Sequence, residues 1–275
     1  INVQNKQGDT PLHLSIRYQM NDISKILINQ NNINLKIKNI YQNDILFEAL
    51  ISENNYILDL LLKLDKYKIN HNFKSFNNTS YFHYAIKTNN NIFLKYLLNI
   101  KNLENYKDSN GNSLLHYAAI YERINYLNLL KKFNFDFNIK NNFDENVLNY
   151  YIKSKKKNFN IIKRIISDVN SLDSNKSNCL INFLKNFKTI ENKIFDLFLN
   201  NKINLYHSNE DEISPLVQTI LNNSFKNFIY IVEKIKSINY VSNQTNPILH
   251  IYYYLKDNLD KKYLKVLLEK GYDLN

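Results

Sequence analysis

One spacing dominates this sequence. Taking His13 as a mark, the matching positions in the 275 residues are His13, Phe47, His83, His116, Asn149, Ile181, Val217 and His250, separated by 34, 36, 33, 33, 32, 36 and 33 residues. A second mark keeps step. An apolar residue followed by Asn recurs at Ile1-Asn2, Ile33-Asn34, Ile69-Asn70, Phe137-Asn138, Val169-Asn170, Ile203-Asn204, Ile238-Asn239 and Leu274-Asn275, with Leu103-Glu104 in the remaining place. A fixed period of this size means one supersecondary unit stacked on copies of itself, because a single unit cannot bury its own apolar face. The expected units are 1–32, 33–68, 69–102, 103–136, 137–168, 169–202, 203–237 and 238–275.

Inside each unit the apolar spacing is helical. Leu12, Ile16, Ile23, Ile26 and Leu27 fall three and four apart, as do Leu264, Leu267 and Leu268 in the last unit. Polar breaks such as Gln19 to Asn21, Glu53 to Asn55, Thr88 to Asn91 and Asn222 to Ser224 divide each unit into two short helices. Helices this short are marginal alone and must be held by their neighbours. Thr10 stands at an N-cap position and Pro11 at the first helical position, where a missing N–H costs nothing. Ser80, Ser113 and Ser214 repeat the cap, and Pro215 the proline. Leu12, Leu46, Phe82, Leu115, Leu148, Leu180, Leu216 and Leu249 are the expected buried anchors.

The segments TPLHLSI, SLLHYAAI and YLKVLLEKGYDLN resemble the ankyrin repeat, and the resemblance extends over essentially the whole chain. It implies an all-α fold, an α-solenoid of about eight helix-turn-helix units joined by hairpin-like loops. It also implies that His13, His83, His116 and His250 are structural clasps, each bonding the cap hydroxyl and the adjoining loop. Clasps spaced one per unit, roughly 10 Å apart, do not converge on a metal ion. The chain departs from the family in its glycines, keeping only Gly8, Gly111 and Gly271. Asn134 and Asn200 stand where Gly271 does, as the next-best residues for a left-handed helix end. Tyr151, Phe183, Thr219 and Tyr252 replace small residues at the helix crossing and are expected to splay their units.

The chemistry-bearing signatures of an enzyme are missing. Three scattered glycines make no phosphate-cradling loop, dinucleotide fingerprint or nucleophile elbow. One cysteine, Cys179, makes no disulfide or zinc pair, and it points to a reducing compartment, the cytoplasm or the nucleus. Glu210, Asp211 and Glu212 lack the spacing of a calcium loop. No cofactor, metal or catalytic residue is expected, and no run of about 20 apolar residues spans a membrane.

What remains is a binding scaffold. By the family resemblance, its concave face, made of loop tips and first helices, meets a protein partner. The register assigns to that face Asp9, Arg17, Tyr18, Tyr41, Phe73, Phe76, Lys87, Tyr106, Tyr121, Phe143, Lys153, Lys185, Tyr206 and Tyr254. Exposed aromatics and arginine dominate interface hot spots. A net charge of +11 keeps open the alternative of nucleic acid or an anionic membrane, although lysine-rich and asparagine-rich composition produces such a charge without a partner. A third alternative is a targeting or regulatory segment of a larger enzyme or effector. Both ends read as interior repeat junctions, so the native polypeptide is expected to continue on at least one side.

Overall fold

The short apolar stripes are helices in the computed structural model, which describes residues 1–64, 79–97, 106–236 and 261–271. Among the described residues there are fifteen helices of seven to ten residues, no strand, and an isolated bridge between Lys107 and Ser113. The chain divides into two compact units, Ile1–Phe135 and Asp136–Asn275. Unit one holds α1 (Pro11–Arg17), α2 (Asn21–Ile28), α3 (Ile45–Ile51), α4 (Asn55–Lys63), α5 (Tyr81–Thr88), α6 (Asn91–Leu97), α7 (Leu114–Ile120) and α8 (Ile124–Lys132). Each odd helix packs on the even one after it, and first helices stack on first helices in the order α1, α3, α5, α7. Unit two holds α9 (Val147–Lys153), α10 (Phe159–Ile165), α11 (Cys179–Asn186), α12 (Asn192–Asn200), α13 (Pro215–Leu221), α14 (Phe225–Lys234) and α15 (Lys261–Glu269). Here α9, α11 and α13 stack, and α15 lies on α14.

Side-chain caps start the first helices. Thr10, Asp44, Ser80, Asn146, Asn178 and Ser214 each accept from the backbone N–H three residues on. The anchors Leu12, Leu46, Phe82, Leu115, Leu148, Leu180 and Leu216 are all buried, while Leu249 lies outside the described residues. Full burial of such a side chain is worth about 1.5–3 kcal/mol, so anchors, rather than helix propensity, hold these short helices.

The turn between paired helices needs a residue in the left-handed region. Gln19, Glu53, Asn89, Glu122, Lys155 and Asn223 fill it, with φ between 51° and 59°. After the second helix Asn134 is left-handed, but in repeat six the conformation falls on Lys202 (φ 60°), because α12 continues through Asn200. That corrects the expectation placed on Asn200.

The crossing residues explain the irregular repeats. From the register mark to the second helix the chain takes eight residues in repeats one to four and seven, but ten in repeat five and eleven in repeat six. The crossing residue is Ser15, Ala49, Ala85 or Ala118 in the short links, and Tyr151 or Phe183 in the long ones. Both rings are buried, and Tyr151 takes the N–H of Asn158 in the lengthened link on its hydroxyl (3.2 Å). Thr219 is small enough for repeat seven to keep the short link. Tyr252 lies outside the described residues.

Candidate functional site: a tyrosine-lined cleft across three repeats

The loop tips are set by a residue that the glycine pattern does not reveal. Asn5, Asn39, Asp108, Asn141, Asp173 and Asn209, each eight residues before the register mark, accept on one side-chain oxygen from the backbone N–H groups two and four residues on. Three residues after each stands a left-handed residue: Gly8, Gln42, Gly111, Asp144, Lys176 or Glu212. This is an Asx-type turn, repeated. Neighbouring tips then join through the backbone, as Ile40 N does to Gln7 O (3.1 Å) and Ser174 N to Phe143 O (3.3 Å). At Gly8 the approach is tight, since a Cβ there would stand 2.9 Å from Ile40 N.

The histidines tie helix to tip. Nδ1 of His13 takes hydrogen bonds from the Thr10 hydroxyl (2.8 Å) and N–H (3.3 Å), while Nε2 donates to the Asn43 carbonyl of the next tip (3.2 Å). An amide N–H only donates and a carbonyl only accepts, so the ring is neutral with its proton on Nε2. Burial pushes the His13 pKa down against the opposing pull of the Asn43 carbonyl, Glu48, Asp9 and Asp44. His83 repeats the pattern with Ser80 (2.8 Å) and Asn112 O (3.1 Å), and His116 meets the Ser113 hydroxyl at 2.9 Å. His250 lies outside the described residues.

In repeats five and six, where the histidine is absent, asparagine takes over. Asn146 caps α9 and donates to Asp168 O (3.2 Å), while Asn149 donates to Ser171 O (2.9 Å). Asn178 caps α11 and donates to Asn204 O (3.2 Å). The Asn residues of the second sequence mark form their own ladder: Asn2 accepts from Asn34 N (2.9 Å) and Asn170 from Asn204 N (2.7 Å), and each donates to a nearby carbonyl.

Two of the assigned surface cations are occupied. Arg17 holds Asp9 with both terminal nitrogens (2.7 and 2.9 Å) and Glu48 of the next repeat with Nε (2.7 Å). Asp9 itself is buried beneath it. Burial would raise the Asp9 pKa, but the bonds from Arg17 and Asn39 and the guanidinium charge outweigh that and hold it below the carboxylate range. Lys153 reaches Glu145 (2.8 Å) and Asp173 (3.2 Å) in unit two. Both are inter-repeat struts, a use that the register alone does not distinguish from an open surface.

Three other assigned residues come together. In unit one Tyr41, Lys87 and Tyr121 line one cleft of about 610 Å³ with Phe47, Ile51, Tyr84, Tyr117 and Asp108. Two tips and three successive first helices supply these groups, because the stacking order places α3, α5 and α7 side by side. Phe47 and Tyr84 pack with ring centres 5.2 Å apart, and Tyr117 lies 5.9 Å from Tyr121. Lys87 extends its ammonium over the Tyr84 ring (5.5 Å) and the Tyr121 ring (5.9 Å). Tyr117 donates to Asp108 (3.1 Å), and burial, then the Asp108 charge, keeps its phenol protonated well above the usual range.

The rest of the assigned residues lie elsewhere. Tyr18 is exposed at the end of α1, Phe143 at a tip and Lys185 on α11. Tyr106 packs edge-on against Phe82 (4.5 Å), and the Tyr206 hydroxyl accepts from Lys236 N (2.7 Å). Phe73, Phe76 and Tyr254 lie outside the described residues. Cys179 is buried at the start of α11, and burial raises its thiol pKa well above normal, which makes it unreactive. Among the described residues no cluster of His, Cys, Asp and Glu is placed to hold a metal ion, and no helix is long and apolar enough to cross a membrane.

Stacked helix pairs with a turned loop between them, repeated through the described residues, define a helical-repeat protein. The family model for ankyrin repeats (three copies) matches residues 1–75 and 53–141, just over half of the sequence, and the chain belongs to the ankyrin-repeat family. Among 360 solved chains that match is the ankyrin repeat domain of Bcl-3, described as a unique member of the IkappaB protein family. It is 18% identical with a TM-score of 0.64, and the likeness covers 83% of this chain and 100% of that one. At that identity the likeness is one of fold. No curated protein matches the chain significantly. Ankyrin repeats are generally protein–protein interaction modules, and their fold is typically non-catalytic.

Proposed function

We propose that the chain binds a protein partner through the cleft of unit one and carries out no chemistry of its own. The observation that supports this is the convergence of Tyr41, Lys87 and Tyr121, from a tip and two first helices of three repeats, around one aromatic-lined hollow. Tyrosine supplies contact area at low entropic cost, and a cleft rimmed by polar groups is where such anchors act. The free, buried thiol of Cys179 fits a reducing compartment. The test is recovery of binding proteins from an extract of the source cells by the intact chain and by Tyr41→Ala/Tyr121→Ala. Specific partners should be retained by the first and lost by the second, whose fold is checked by circular dichroism. Partners retained equally by both chains would place binding elsewhere.

A further inference from the structure

We propose that this cleft takes an extended peptide segment by an acidic side chain set beside an apolar one, the carboxylate meeting Lys87 and the apolar group entering between Phe47, Ile51 and Tyr121. The inference rests on the reading that the cleft is the protein-binding site, and it names the chemistry of what binds.

The charge in the cleft is one-sided. The Lys87 ammonium forms no ion pair among the described residues, and it lies over the faces of Tyr84 and Tyr121. The carboxylate that lines the cleft is consumed internally, since Asp108 accepts from the N–H groups of Asn110 and Asn112, the Asn112 amide and the Tyr117 hydroxyl. Glu48 is held by Arg17 with one oxygen, and Asp44 by Phe47 N and the Tyr81 hydroxyl. Among the described residues that line the cleft, Lys87 is therefore the cation without a carboxylate partner and Asp108 a carboxylate already filled with donors, while Glu53 acts on Tyr84 from outside that lining. An acidic group arriving there gains a charge-assisted bond flanked by low-dielectric rings, whereas a basic group meets repulsion.

Size and charge spacing select the form of the ligand. At about 610 Å³ the cleft seats a few side chains and not a domain. Single-stranded nucleic acid is bound by a groove that tracks each successive phosphate with positive charge, and Lys87, the one lysine among the described lining residues, does not make such a track.

The test uses a library of short random-sequence peptides selected on the intact chain. Lys87→Glu, Tyr41→Ala/Tyr121→Ala and a labelled oligouridylate serve as the comparison arms, and Lys87 is exposed, so its variant folds. Selected peptides should carry Asp or Glu beside an aliphatic or aromatic residue. They should bind Lys87→Glu at least about tenfold more weakly, and selection on that variant should favour Lys or Arg instead. Peptides that need the tyrosines but show no acidic preference, and bind Lys87→Glu equally, would overturn this chemistry and leave the cleft as the site. Peptides indifferent to the tyrosines, or none selected at all, would overturn the site reading too. Oligouridylate binding lost in both variants would replace a peptide with nucleic acid.

Discussion

Unit one and the described part of unit two stack first helices in the same way but with different side chains. In unit one the crossing residues are Ser15, Ala49, Ala85 and Ala118, the links are short, and neutral histidines join cap to tip. In unit two Tyr151 and Phe183 fill the crossing and lengthen the link, and the amides of Asn146, Asn149 and Asn178 do the joining. The ion-pair strut changes too, from the forked Arg17 to the single ammonium of Lys153. The difference teaches that the repeat requires an acceptor for the helix N-terminus and a filled crossing, and takes a donor to the next loop from whichever side chain offers one. It does not require particular residues. An imidazole and a carboxamide each provide a donor and an acceptor on one rigid group, and a large ring with extra chain replaces a small residue without it.

The crossing is where a single substitution should tell most. Phe183 packs edge-on with Phe198 at 5.8 Å, and repeat six has already lengthened its link around that ring. Phe183→Ala should therefore cost about 3–5 kcal/mol in chemical denaturation, and a cost under about 1 kcal/mol would show that the crossing is not filled by the ring.

Acid should separate the units next. His13 is neutral in the fold with its pKa pushed down, while in the unfolded chain it gains a proton near the ordinary value of about 6.5. Its stabilisation is thus full above that pH and lost as pH falls below it, because the unfolded state then binds more protons. Protonation at Nδ1 would break the same cap bonds at His83 and His116. Hydrogen-exchange protection between about pH 7 and 5 should fall in unit one and hold across residues 136–236, where asparagines join the repeats. Equal loss in both would contradict the different clasps.

Two smaller effects sharpen the contrast. Asn178→Ser keeps a cap oxygen but removes the donor to Asn204 O, so it should cost about 0.5–1.5 kcal/mol by thermal or chemical melting. Glu53→Gly relieves a side chain held at φ 54°, and should stabilise by up to about 1 kcal/mol. A destabilising glycine would mean that Glu53 has a bond that outweighs the strain.

Much of the fold is legible in the sequence because a repeat prints its geometry several times. The anchors from Leu12 to Leu216 and the proline starts at Pro11 and Pro215 follow from spacing alone. The tips are harder, because the scarcity of glycine draws attention away from Asn5, Asn39, Asp108, Asn141, Asp173 and Asn209, which stand at one register position. In a chain where roughly one residue in five is Asn, that signal looks like composition. The site is half legible. Register places Tyr41, Lys87 and Tyr121 on a common face, but it cannot tell an open cation from a strut. That distinction depends on whether carboxylates such as Asp9 and Asp173 fold beneath the cation, which is a property of the packed loops.

Binding at the cleft of unit one is tested most directly by differential hydrogen exchange on the intact chain, with and without a partner protein recovered by it. The expected result is added protection in the tip segments 39–43 and 106–112, which border the cleft. Protection confined to the second helices Asn55–Lys63 and Ile124–Lys132, with those tips unchanged, would contradict it.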